Sequence, residues 1–183
     1  MHPWVERIVR RVRETRPLCL EGFRVTPVLA EPWNHRAVWA LSCNCGFDTG
    51  KLMGYSLKDY NSEYDGPEEF LSPLAFECMT CNKTTEIIDT KIHGYNSECD
   101  RLRDEPSLDS NYRGSGMRKI FPCPHCNETS FELQVQCAHP HFDLIEDSPE
   151  LEPRVQDFFD AFGVRATCKT CGKESTPASY ELA

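Results

Sequence analysis

Four close cysteine pairs carry the chemistry that this chain can do. Cys123-Pro-His-Cys126 and Cys168-Lys-Thr-Cys171 lie in the second half with 41 residues between them, and Cys43-Asn-Cys45 and Cys78-Met-Thr-Cys81 lie in the first with 32 between. A pair at this spacing sits on a tight turn that aims both sulfurs the same way, so two pairs supply four thiolates to one tetrahedral ion. Zinc is the expected ion, two per chain. Four thiolates that close a site give up their protons and commit their lone pairs to the metal, which makes each site structural rather than reactive. A redox dithiol is the other reading of a lone pair, but it has no use for a second copy so far along the chain. Cys43-Asn-Cys45 is one residue tighter than the others, and Gly46 restores the backbone freedom to turn amides toward the sulfurs. In that first half a partial ligand set, or one completed by His93 or Cys99, stays open.

Cys137, His139 and His141 alternate and can face one way, which raises an additional open metal site with catalytic potential. Pro140 between the histidines argues for an irregular edge instead, and no carboxylate stands at general-base spacing. His93-Gly-Tyr-Asn reads as a turn, with a ligand role for His93 as the alternative. Pro122-Cys123-Pro-His-Cys126 matches half of a zinc deaminase signature, yet no H-x-E precedes it. H-E-x-x-H, a Walker loop and G-x-S-x-G are missing as well, so no catalytic residue is assigned and no enzyme activity is expected.

The elements that must position these cysteines read as follows. Residues 3–16 form a helix, with Pro3 in its first turn, Val5, Ile8, Val9 and Val12 on one stripe, and Pro17 as its end. Strands are expected over Gly22–Leu29 and Ala37–Leu41, joined by a turn at Glu-Pro-Trp-Asn, the second running straight into Cys43. Phe47–Leu57 is a weaker strand broken by Gly50 and Gly54. Leu74–Phe76 leads into the second hook and Thr84–Asp89 leads out. Order weakens from His93 to Gly116, where Arg113-Gly-Ser-Gly116 is the expected join between halves. Met117–Phe121 enters the third hook, and Thr129–Gln136 leaves it as a strand of clean period two with Phe131, Leu133 and Val135 on one face. Pro153–Phe162 is expected to be helical, with Val155, Phe158, Phe159 and Phe162 at helical spacing and Gly163 as the stop. Val164–Thr167 enters the last hook, and Ser175–Leu182 closes the chain as a strand. The fold class is therefore a small metal-stabilised α+β protein. Residues 1–96 hold the helix and first unit, 97–116 a linker, and 117–183 the second unit.

Composition narrows the function further. Units of about 60–80 residues bury too little apolar surface to be secure alone, and structural metal is the usual remedy. The chain has 11 cysteines, an odd number that argues against a closed disulfide framework. Met1–Arg16 is arginine-rich without the apolar run of a secretory signal, so a reducing cytoplasm is the expected compartment. No stretch approaches the length that spans a bilayer. Net charge is −9, which repels phosphate backbones unless a local basic face outweighs it. Two acidic runs fall between the hooks of their halves: Asp59–Glu69 holds five acids and no base, and His139–Asp160 holds seven acids against Arg154. Each is either a solvated loop or a docking surface for a basic partner. The N-terminal helix is locally basic, with arginines 7, 10, 11, 13 and 16 against Glu6 and Glu14. It suits nucleic acid or an anionic membrane if free, and its own domain's acids if packed.

Strand, hook, strand, repeated, resembles the zinc-ribbon class, more closely from Met117 to Leu182 than in the first half. The resemblance implies two ribbon-like units in tandem, with β-hairpins around structural zinc and roles in protein or nucleic-acid contact. The inserts of 32 and 41 residues are longer than a minimal ribbon needs, and the specific function is expected there. A zinc-binding adaptor or neutralising module that meets a basic protein through its acidic inserts is the leading reading. A nucleic-acid-associated ribbon protein using the N-terminal arginines is the alternative.

Overall fold

A computed structural model describes residues 3–28, 36–103, 112–139 and 147–182. The expected Glu31–Asn34 turn, His141 and the acids Asp143 and Glu146 lie outside the described residues.

The amphipathic spacing near the N-terminus does produce helix α1, Pro3–Glu14. Ile8 and Val12 of its stripe are buried, and Trp4 and Val9 are partly buried against the core. The basic side meets the second insert. Arg7 pairs with Glu152 at 2.8 Å, and the Arg11 guanidinium donates to the Pro153 carbonyl at 3.0 Å.

Strands β1 (Arg24–Pro27), β2 (Arg36–Ser42), β3 (Thr49–Ser56), β4 (Phe70–Cys78) and β5 (Thr84–Ile88) belong to the first half. The second half contributes β6 (Lys119–Ile120), β7 (Phe131–Ala138), β8 (Ala161–Cys168) and β9 (Glu174–Glu181). All nine join one antiparallel sheet with a main path β1-β2-β7-β3-β4-β5, while β8 and β9 extend from β7 and β6 pairs β3. Period-two sequences fall in register with burial. In β7, residues 131, 133, 135 and 137 are buried and those between them are half-buried.

The pairing exchanges strands between the halves. The strand before the first hook, β2, pairs with β7 of the other half from Arg36↔Ala138 to Ala40↔Gln134. Reciprocally, β6 before the third hook pairs with β3 at Met53↔Ile120 and Gly54↔Lys119. The strands that leave the first and third hooks meet directly at Thr49↔Glu132 and Gly50↔Phe131. At that crossing Gly50 has no room for a side chain, since a Cβ would lie 2.6 Å from the Glu77 carbonyl oxygen and against the Phe76 ring. The aromatic core follows the same plan. Phe70 of the first half meets Phe121 of the second edge-on at 5.4 Å, Phe121 meets Phe131 at 5.7 Å, and the buried Tyr180 hydroxyl donates to the Phe70 carbonyl at 2.8 Å.

Two stretches differ from the sequence expectation. The second insert holds a 3-10 helix over Pro149–Asp157 rather than an α-helix over 153–162, and Phe162 and Gly163 already belong to β8. Phe158, Phe159 and Phe162 are all buried, so they fill the core and none is a surface anchor. The second difference is helix α2, Tyr95–Arg103, in a stretch expected to be weakly ordered. Farther along, Tyr112 and Gly114 exchange backbone hydrogen bonds with Ser72 at 2.8 Å each. Arg113 makes a two-pronged pair with Asp89, at 3.0 and 2.8 Å. This pairing holds the Asp89 carboxyl below the usual range despite its partial burial. Residues 112–114 are thus fastened to the first half's strands.

Candidate metal centres

Each of the four hooks is a closed backbone turn built on the same two hydrogen bonds. The N–H of Cys78 donates to Lys83 O and the N–H of Asn82 donates back to Cys78 O, both at 3.0 Å. The same bonds link Cys123 with Glu128 and Asn127, and Cys168 with Lys173 and Gly172. In the tighter hook both close one residue earlier, Cys43 N–H to Phe47 O at 2.7 Å and Gly46 N–H to Cys43 O at 2.8 Å. A shorter turn thus reaches the same end.

Every turn needs one residue of positive φ directly after its second cysteine. Gly46 (98°), Asn82 (56°), Asn127 (63°) and Gly172 (70°) take that place. Glycine enters this region freely and asparagine is the side chain that best tolerates it. The sequence carries this signal as Cys-Gly or Cys-Asn at all four hooks, at Asn82, Asn127 and Gly172 as well as at Gly46. Gly46 lies farthest from the left-handed well that asparagine tolerates. Gly46→Ala is therefore expected to cost about 1–2 kcal/mol, seen as a fall of roughly 2–8 °C in melting temperature. Asn82→Gly should cause no fall, and an unchanged melting temperature for Gly46→Ala would show that the turn is not under this constraint.

The turns bring together two sets of four thiols. In each set, Cys43, Cys45, Cys78 and Cys81 or Cys123, Cys126, Cys168 and Cys171, all the sulfurs lie within 4.8 Å of one another. The closest cross-hook separations are Cys43–Cys81 3.6 Å, Cys45–Cys78 3.6 Å, Cys123–Cys171 3.7 Å and Cys126–Cys168 3.5 Å. Zn–S bonds of about 2.3 Å in a tetrahedron place sulfurs about 3.8 Å apart, so the spacing fits one zinc per set. It does not suit an iron–sulfur cluster, whose thiolates are spread over separate irons. Each set could hold one metal ion, with zinc best matched by the four-sulfur donors.

Burial and electrostatics within each set repeat. The first cysteine of every hook is buried and the second is exposed. As free thiols they differ in acidity. Burial opposes ionisation of Cys78, but the amides of Cys81 and Thr80 and the thiols of Cys45 and Cys81 outweigh it and bring its pKa to about 7. Cys168 is lowered to about 7 by its counterparts, the Cys171 and Thr170 amides, against the same burial. The Phe47 amide favours the Cys45 thiolate, but desolvation and the neighbouring sulfurs push Cys45 up to about 11. Cys126 reaches about 12 in the same way, against the Glu128 amide. A bound divalent ion would displace the thiol protons to solvent and supply the positive charge that four crowded thiolates need. With all four positions supplied by protein, such a site holds structure and leaves no place for substrate.

The other sequence candidates lie elsewhere. His93 accepts the Asp89 N–H on Nδ1 at 3.0 Å, Cys99 is buried in α2, and neither joins the first set. Cys137 is fully buried in β7, and His139, also buried, places Nε2 3.1 Å from the Gln156 carbonyl and its ring edge-on to Phe159. Among the described residues, the two cysteine sets are the only groups of three or more metal-capable side chains brought together.

Fold and sites define a small α+β protein with two four-cysteine centres on one shared sheet. No family model, curated protein or solved structure matches the chain.

Proposed function

We propose that this is a zinc-bearing, ribbon-type interaction module whose two structural ions brace a scaffold that presents acidic surface to a basic protein partner. One observation carries the reading. Five bases that a nucleic-acid stripe would draw on are already tied to the protein's own acids, one of them on α1, while Arg11 and Arg16 are held by the Pro153 and Phe23 carbonyls. Arg7 pairs with Glu152, Arg101 with Glu98, Arg113 with Asp89, Arg118 with Glu86 and Lys119 with Asp59. The first insert leaves acids open as well. In the first insert Asp59 and Glu68 have lysine partners and Glu69 accepts the Tyr64 hydroxyl at 2.7 Å, while Glu63 and Asp65 are exposed and make no ion pair with a described residue. The hydrogen bond to Glu69, then burial and the negative charges of Glu69, Asp65 and Glu68, raise the Tyr64 phenol to about 12. A field of this sign steers a basic surface and repels a phosphate backbone.

In the same reading the thiolate ligands must stay reduced, which places the protein in a reducing compartment such as the cytoplasm. The described helices include none long and apolar enough to cross a membrane.

Charge reversal at Glu63→Lys with Asp65→Lys tests the reading without touching either cysteine set. Zinc content and melting temperature should stay within experimental error. Protein partners captured from the native cell should be retained after nuclease treatment by the parent chain and lost by the variant, and added salt should weaken their capture. Capture that vanishes with nuclease, or micromolar binding to duplex fragments near physiological salt, would favour the nucleic-acid alternative instead.

A further inference from the structure

Away from the cysteine sets, a cleft of about 100 Å³ opens between the 3-10 turn at 18–20, the turn at 92–94, α2 and the end of the second-insert 3-10 helix. Two carboxylates from distant parts of the chain line it: Glu98 of α2, 2% exposed, and Asp157, 4% exposed. Their compensation differs. Glu98 is paired with Arg101 at 3.1 Å and receives a second, shorter hydrogen bond from Arg154. Asp157 accepts the Leu18 N–H on Oδ1 at 2.7 Å and the Gln156 side-chain amide on Oδ2 at 3.3 Å, and no cationic side chain among the described residues forms an ion pair with it. Carboxylates this deeply buried are normally paired with a cation.

Among the described residues, the cationic groups near the cleft are engaged elsewhere and reach Asp157 only from a distance. Arg101 is committed to Glu98 and to the Ile92 carbonyl at 3.3 Å. His93 has Nδ1 occupied by the Asp89 N–H, and burial lowers its pKa, keeping the ring neutral. Burial likewise raises Asp157, against the Leu18 N–H and the more distant Arg154 and Arg101. The mouth is apolar. Leu18 and Ile92, which line it, are each 48% exposed. The volume is well below the roughly 300–1,000 Å³ of sites that enclose whole small molecules. A cavity of this size with a buried carboxylate that has no ion-pair partner among the described residues, and an aliphatic lip, suits one long basic side chain, its methylene stem on the lip and its charged head at the acid.

We propose that this cleft is the anchor for a lysine or arginine side chain of the partner, with Asp157 as the counter-charge. The proposal rests on the basic-partner reading above and gives it a specific point of contact.

The test uses the full-length, zinc-loaded protein labelled with ¹⁵N and titrated with N-acetyl-lysine methylamide and N-acetyl-arginine methylamide. N-acetyl-norleucine methylamide is the uncharged control. At least one basic probe should cause saturable shifts at the amides of Leu18, His93, Gly94 and Phe159, with dissociation constants on the order of millimolar for so small a ligand. The control should cause none. Asp157→Asn keeps an oxygen for the Leu18 N–H and should weaken binding by about tenfold or more. Ile92→Ala removes only lip surface and should weaken it several-fold, so the proposal stays testable if the Asp157 variant does not fold. Absence of saturable shifts, equal shifts from norleucine, or unchanged affinity in the variants would overturn the anchor and leave Asp157 as a tie to Leu18. The two readings can fail separately. Loss of the anchor with capture still sensitive to Glu63→Lys and Asp65→Lys sinks the cleft alone, whereas nuclease-sensitive capture sinks the partner reading.

Discussion

Elemental analysis of the purified protein is expected to return two zinc ions per chain, and removing them with a chelator is expected to unfold it. Both sets have sulfur separations of 3.5–3.7 Å across hooks and the same turn geometry, so there is no structural ground for filling one and not the other. Binding free energy at a structural zinc site is about 10–16 kcal/mol and is spent on folding. Total stability of a domain is about 5–15 kcal/mol, so loss of even one ion is comparable with the whole margin. Chelation should abolish the near-ultraviolet signal of the buried aromatic core and the dispersion of its amide spectrum. One zinc per chain would remove the weaker set from the reading, and iron in place of zinc would overturn the choice of metal. A chelated protein that keeps its native spectrum would show that the thiol sets are not structural.

The strand exchange leads to the second large effect. Cys171→Ser removes an exposed ligand of the second set and leaves the first set untouched. If the halves were autonomous, the first would keep its metal and fold. In this sheet, however, β2 has β7 as its inner partner and β3 meets both β6 and β7, so collapse of the second half strips neighbours from the first. Phe70 also loses Phe121 beside it. Cys171→Ser is therefore expected to lower the melting temperature by more than 10 °C, an estimate from about 2–4 °C per kcal/mol for a chain of this size. Hydrogen exchange in β3 and β4 should accelerate along with that in β7 and β8, in one transition. Residues 1–96 and 117–183 expressed apart should each fail to fold and should recover structure on mixing with zinc. Native exchange protection in β3 and β4 of the Cys171 variant, or independent folding of either fragment, would establish two self-sufficient units.

Much of the local structure was legible because it is set by neighbours in sequence. The hooks follow from two cysteines on one turn, and the glycine or asparagine after each second cysteine supplies the one positive φ that the turn requires. Helix α1 and strand β7 follow from apolar residues at periods of 3.6 and 2, which fix the buried face whatever lies beyond it. The failures are also local in origin. Phe158, Phe159 and Phe162 carry helical spacing, but the same residues can be buried from a 3-10 turn followed by a strand, and spacing cannot distinguish the two.

Neighbours along the chain settle which residues form the turns and which faces are apolar, and they narrow the metal-capable residues to the paired cysteines, with the first set still open to His93 or Cys99 until the structure brings Cys43, Cys45, Cys78 and Cys81 together. Only the tertiary structure decided which strands pair. Sheet hydrogen bonds join backbone to backbone, so β2 and β6 carry no side-chain label for the opposite half, and that choice is made by closure of one shared core around Phe70, Phe121 and Phe131. The fate of the acids was decided there too. In sequence Asp157 is one more charge in an acidic run, and it becomes a buried carboxylate lacking an ion-pair partner among the described residues because the 18–20 turn, α2 and the second insert converge on it. Burial of a charge depends on what packs over it, and the segments that pack over Asp157 lie as far away as Leu18, 139 residues along the chain.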